Sequence, residues 1–122
     1  MSKTIFLIDD SLVMLSSLKH ILEIASFQVQ TATNGQEGID RVKQGFKPDL
    51  IITDINMPQM NGLDFIRHVR QILRFTPILV FSTESQTAKR EEAKKLGATG
   101  WLIKPVSGPD LLKVIRQVLP GT

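Results

Sequence analysis

The chain of 122 residues has no cysteine. That excludes a disulfide framework and a thiolate metal site, and it fits a reducing, cytoplasmic compartment. No apolar run approaches the ~20 residues a membrane-spanning helix needs. A secretory leader is not expected either, because Asp9 and Asp10 interrupt the first apolar run after Ile8. No internal repeat, linker or low-complexity tract is visible, and no block of charge of one sign. Net charge is +3 and the pI is near 9.5, which would suit nucleic acid if the cations were clustered. They are not. The densest basic stretch, Lys89-Arg90-Glu91-Glu92-Ala93-Lys94-Lys95, has acids mixed in. Glu91 and Lys95 stand four apart, so the stretch reads as a solvated helix face. A cytoplasmic protein with neither membrane nor nucleic acid as a direct partner is expected.

What is present is alternation. Short β-branched runs at Thr4–Ile8, Gln28–Ala32, Leu50–Thr53, Ile78–Ser82 and Gly100–Ile103 read as strands. Between them, apolar residues recur at helical steps: Leu15, Leu18, Leu22, Ala25; Ile39, Val42, Phe46; Ile66, Val69, Leu73. A last helix carries Leu111, Val114, Ile115 and Val118, with Pro109 near its start and Pro120-Gly121 after its end. Such alternation implies a parallel sheet with right-handed crossovers and helices on both faces. The length fits a single domain, 1–122, and with the last helix pattern close to residue 122 no output domain is expected. The candidate fourth helix, between Thr83 and Gly97, has a thin apolar stripe of Ala88, Ala93 and Leu96. It should be the least firmly held element.

Charge is concentrated where these strands end. Asp9 and Asp10 close the first run, Asp54 the third and Lys104 the fifth. In an open parallel sheet, ligands sit beyond the carboxyl ends of the strands. Two carboxylates ~4 Å apart there repel by roughly 4 kcal/mol at an effective dielectric near 20, and a hard divalent cation with oxygen ligands relieves that repulsion. Taken singly, each residue has a plainer use. A strand-end aspartate caps a helix, a lone lysine snorkels along the surface, and a strand-end serine such as Ser82 bonds nearby backbone. Adjacent Asp9-Asp10 plus Asp54 would be a costly way to cap helices. As a set, with Lys104 supplying positive charge, they read as a metal and phosphate site.

The stretch Asp54-Ile55-Asn56-Met57-Pro58-Gln59-Met60-Asn61-Gly62 carries more. Together with Ile8-Asp9-Asp10-Ser11, Ser82 and Lys104-Pro105, it strongly resembles the receiver domain of two-component response regulators. The resemblance covers essentially the whole chain, and its length resembles the single-domain, chemotaxis-type members. It implies a flavodoxin-like α/β fold: a doubly wound, five-stranded parallel sheet in the order 2-1-3-4-5 with five helices.

The resemblance also implies roles. Asp54 would be the phospho-acceptor, taking a phosphoryl group from a sensor histidine kinase, a phosphotransfer protein or acetyl phosphate. Mg²⁺ would be held by Asp10 and Asp54 directly, by Asp9 through a water, and by the backbone carbonyl of Asn56. Lys104 would pair with Asp54 before transfer and with a phosphoryl oxygen afterwards, and its bond to Pro105 would be cis. Ser82 would be the switch hydroxyl. Trp101 stands at the position of a rotating aromatic, usually Tyr or Phe; its plainer reading is a partly buried anchor on an edge strand. Asn56 and Glu84 flank the site as in members with short-lived phosphorylation. Thr83 replaces a small residue beside the phosphoryl pocket, where its branched side chain would narrow access for kinase, phosphatase or water. Leu15 replaces an arginine common on the first helix, which would alter recognition on that face. The implied output is a changed surface on the fourth helix, fifth strand and fifth helix, read by a downstream effector, with the chain a monomer or a phosphorylation-dependent dimer.

Other functions fit less well. A phosphatase with an aspartyl-phosphate intermediate lacks its general acid, since Asn56 stands two residues after Asp54. A flavin carrier needs a hydroxyl- and glycine-rich loop where Asp9 and Asp10 stand. A docking module without phosphorylation would have no use for the acceptor, acid pair, hydroxyl and lysine together. His20 and His68 have no partner at metal-ligand spacing, and Met57 and Met60 fill apolar gaps.

Overall fold

A computed structural model describes residues 2–120; Gly121, expected with Pro120 to end the last helix, lies outside them. The elements follow in strict alternation: β1 (Thr4–Ile8), α1 (Leu12–Ile24), β2 (Gln28–Ala32), α2 (Gly35–Lys43), β3 (Leu50–Thr53), α3 (Gly62–Ile72), β4 (Ile78–Ser82), α4 (Thr87–Leu96), β5 (Gly100–Ile103) and α5 (Gly108–Val118). All strands pair in parallel, in the order β2-β1-β3-β4-β5. Every strand falls where the apolar runs placed it.

Strand side chains alternate between two faces, and each face has its own core. On one, Phe6, Ile8, Ile51 and Val80 pack with Ile39, Val42, Phe65, Ile66 and Ala93 from α2, α3 and α4. On the other, Ile5, Leu7, Ile52, Leu79 and Phe81 pack with Leu15, Leu18, Leu22, Leu111 and Ile115 from α1 and α5. Burying a side chain of this size contributes about 1.5–3 kcal/mol, so the number each helix inserts decides how well it is held. Helix α3 buries Leu63, Phe65, Ile66 and Val69, whereas α4 buries Ala93 alone. Leu96 is half-buried, and Ala88 is exposed rather than on the packed face as its spacing suggested.

Capping separates α4 further. Side-chain oxygens of Ser11, Asn34, Asn61 and Ser107 accept the first free N–H groups of α1, α2, α3 and α5. Gln86, at the start of α4, makes no such bond. The other end of α4 is firm. Gly97 takes a left-handed φ of 112°, and a Cβ there would come within 2.8 Å of Arg70 Nε. The Arg70 guanidinium donates to the carbonyls of Leu73 (2.8 Å), Thr76 (2.7 Å) and Gly97 (2.7 Å). Burial pushes its pKa below the ordinary arginine value, and the three carbonyls supply the compensating negative ends.

One other spacing misleads. Phe46 lies beyond α2, where its ring packs edge-on to Phe6 at 4.9 Å. Leu15, by contrast, is buried with Leu18 and Leu22 as its spacing predicts. The large apolar residues α1 does expose are Leu12, Val13 and Ile24.

Candidate metal and phosphoryl site

Strand register builds the site. Ile8 lies opposite Thr53, so the next residues, Asp9 and Asp54, emerge side by side at the sheet edge. Ser82 lies opposite Ile103, which brings Lys104 to the same edge. One oxygen from each of Asp9, Asp10 and Asp54 lies within 4.8 Å of the others.

The three acids are held differently. Asp9 is 5% exposed; one of its oxygens accepts from the Ser11 N–H at 2.9 Å and the other from Lys104 Nζ at 2.9 Å. Asp54 Oδ1 accepts from the N–H groups of Ile55 (2.6 Å) and Asn56 (3.3 Å), which turns Oδ2 toward Lys104 at 3.4 Å. Lys104 thus pairs with Asp54 as expected, but its shorter contact is with Asp9. Backbone N–H groups already hold Asp54 and set how its carboxylate is turned, while Asp9, the more withdrawn from water, takes the ammonium as its counter-charge. The ammonium also lies 5.4 Å from the Phe81 ring centroid, a favourable placement for a cation. Asp10 is exposed, and its carboxylate has no hydrogen-bond partner among the described residues. Three carboxylates and one ammonium leave two formal negative charges at the edge. Hard oxygen donors with that surplus suit a small divalent cation.

The loop after β3 is folded against Asp54. Gly62 N–H donates to the Ile55 carbonyl at 2.8 Å, and a Cβ on Gly62 would lie 2.7 Å from Ile55 Cα and overlap the Asp54 carbonyl. Gln59 takes a positive φ of 68° to make the turn. Asn56 is exposed, Met57 is buried and Met60 packs against the core. The Lys104–Pro105 bond is cis.

Beside the acids, Ser82 is fully buried and its Oγ accepts from the Glu84 N–H at 3.2 Å. Thr83 is exposed next to it. Trp101 is half-buried on β5, and its indole N–H donates to the Glu84 carbonyl at 3.0 Å. Glu84 Oε1 accepts from the Gln86 N–H at 3.2 Å and Oε2 lies 3.4 Å from Lys89 Nζ. The Gln86 N–H holds the Glu84 carboxyl below the ordinary carboxylate range, with Lys89 and the Asn56 side chain pulling the same way against some desolvation.

The Lys89–Glu84 pair and the close approach of Gly62 were missed in the sequence. The pair spans five positions across a helix start, a spacing with no periodic signature; Gly62 was visible only as part of the motif. Both His20 and His68 are exposed.

Residues 5–116 match the family described as the response regulator receiver domain. The chain is 35% identical to the chemotaxis protein CheY of Thermotoga maritima, over 97% of this chain and 98% of that one. It is 34% identical to protein PilH of Pseudomonas aeruginosa, with 96% and 98% covered. It is 37% identical to the nitrate/nitrite response regulator NarL of Escherichia coli, of whose length it spans 55%. Among solved structures, chemotaxis protein CheY4 of Vibrio cholerae superposes with a TM-score of 0.91 at 38% identity, over 97% of this chain and 99% of that one. With strand order, acid cluster and family profile in agreement, the chain belongs to the response regulator receiver domains.

Proposed function

We propose that this domain is a signalling switch thrown by transfer of a phosphoryl group to Asp54. One observation carries the reading: three carboxylates and Lys104 converge at the carboxyl edge of the sheet, in a chain of the receiver family. An Asp54 oxygen forms a bond to phosphorus as the bond from phosphorus to the donor breaks, leaving a free histidine on a sensor kinase or phosphotransfer protein, or acetate from acetyl phosphate. Such transfers depend on positioning and charge neutralisation more than on covalent assistance. The Ile55 and Asn56 N–H groups orient the acceptor by holding its other oxygen. Asp10, Asp54 and the Asn56 carbonyl would hold Mg²⁺ directly, and Asp9, already engaged by Lys104, would act through a water. When bound, the ion neutralises charge on the transferring group.

Lys104 then exchanges an Asp54 oxygen for a phosphoryl oxygen, and the Ser82 hydroxyl donates to another. Shifting a two-state equilibrium from 1:99 to 99:1 takes about 5.5 kcal/mol of differential binding, and charge-assisted bonds of this kind supply a large part of it. Because Glu84 is bonded to both Ser82 and Trp101, a shift of Ser82 moves the loop into α4 and the indole together. The surface of α4, β5 and α5 is what a cytoplasmic effector reads. A groove of about 380 Å³ runs there beside Thr87, Arg90, Lys94, Ala98 and Trp101. A phosphatase and phosphorylation-dependent pairing belong to the same scheme. Asn56, Thr83 and Glu84 tune how long the phosphoryl group survives.

The test is incubation with acetyl phosphate and Mg²⁺, read by intact mass. A single phosphoryl adduct that Asp54→Asn abolishes is expected. No adduct, or one that survives in Asp54→Asn, would refute the assignment.

A further inference from the structure

Each hydrogen-bonding group of Glu84 is engaged by a different residue. Its N–H binds Ser82 Oγ, its carbonyl binds the Trp101 indole, and its carboxylate oxygens face the Gln86 N–H and Lys89 Nζ. Lys89 is the charged partner, and it lies in the first turn of α4. That is an unfavourable place for a cation, because the amino end of a helix carries partial positive charge. Helix α4 has no acidic residue in its first turn and no side-chain cap. Glu84, just outside the helix, supplies the missing negative charge, and its side chain is packed to 16% exposure against 38% for Lys89.

We propose that Lys89 is a positioning residue for the phosphoryl site. It fixes Glu84 beside Asn56 at the mouth of the site, and so sets how fast water removes the phosphoryl group from Asp54. The inference rests on the phospho-acceptor reading above. In that hydrolysis the oxygen of water bonds to phosphorus as the phosphorus–oxygen bond to Asp54 breaks. Its electron pair returns to the carboxylate, one proton of the water stays on phosphate and the other leaves to solvent. Attack is roughly in line with the breaking bond, so the water arrives from the side opposite Asp54. Asn56 follows Asp54 in the loop and its side chain reaches the Glu84 carboxylate, so in this proposal the two side chains border that approach. A Glu84 side chain held by Lys89 narrows it. A released one opens it.

The experiment charges the intact chain with acetyl phosphate and Mg²⁺, removes the donor by rapid desalting and follows loss of the adduct by intact mass. Lys89→Met should lose phosphate about three- to tenfold faster, the size of coupling expected between contacting residues. Lys89→Arg should restore the slower rate. In a Glu84→Gln background, Lys89→Met should add nothing. A thermal midpoint for Lys89→Met close to that of the unaltered chain separates the effect from loss of fold. An unchanged rate in Lys89→Met, or the same acceleration in the Glu84→Gln background, would overturn the inference while leaving Asp54 as acceptor. Failure of the unaltered chain to take up phosphate would overturn both.

Discussion

Asp9 and Asp10 are adjacent in sequence but sit in different electrical settings. Asp9 is buried against Lys104, while Asp10 faces solvent beside two other acids. Replacing Asp10 with Asn therefore removes repulsion and leaves no buried group unpaired. It should raise stability without metal by about 1 kcal/mol, the worth of one contact in a largely solvated setting, and abolish the stabilisation that added Mg²⁺ gives. Urea denaturation with and without Mg²⁺ measures both; a destabilised, still Mg²⁺-responsive variant would contradict the assignment. Lys104→Met has the opposite sign. It strands Asp9 without its counter-ion and should cost roughly 3 kcal/mol, at the low end for breaking a buried pair. Gly62→Ala should cost about 1–3 kcal/mol by overpacking and slow phosphoryl uptake, because the added methyl pushes on the Asp54 backbone. At this scale the acids and Lys104 were legible, since charge closing an apolar run is visible in the sequence itself, whereas Ser82 was singled out by family resemblance alone. That Lys104 sits nearer Asp9 than Asp54 was not legible, because it depends on how the Ile55 and Asn56 N–H groups turn one carboxylate.

Among the elements, α4 is held at one end. Arg70 and Gly97 fix its carboxyl terminus, while Gln86 leaves the amino terminus without a side-chain cap and Ala93 is its one buried residue. Native-state hydrogen exchange should show Gln86–Leu96 opening far more readily than β3 and β4, and fastest in the first turn. Equal protection would contradict this. The Glu84 carboxyl adds a pH dependence. Its folded pKa lies below the usual value of 4.5, so the stability it contributes is complete above that value and is lost as pH falls through the lowered one. Protection factors in the first turn of α4, taken relative to the intrinsic exchange rate at each pH, should therefore fall in acid, and Glu84→Gln should flatten that fall. Strands were legible because short apolar runs bounded by charge or turn residues have one use in an alternating chain. Helix limits were less so. Periodicity continues through Phe46 after α2 has stopped, and it cannot separate Ala88, facing water, from Ala93, facing the core.

For the whole molecule, parallel register turns scattered residues into one site. Residues 9, 54, 82 and 104 meet because each follows or ends a strand, and the strand order puts β1, β3, β4 and β5 side by side. Alternation of strand and helix made the architecture legible. The order itself came from family resemblance, since no local pattern says which strands are neighbours. In the proposed scheme the switch is a property of the assembled sheet: a phosphoryl group at β3 would be sensed by Ser82 on β4 and by Trp101 on β5. The most direct measurement is a crystal structure grown with Mg²⁺ and beryllofluoride. The expected result is beryllofluoride on Asp54, contacted by Ser82 and Lys104, with the metal on Asp10, Asp54 and the Asn56 carbonyl. An unmodified Asp54, with no ion among these acids, would contradict it.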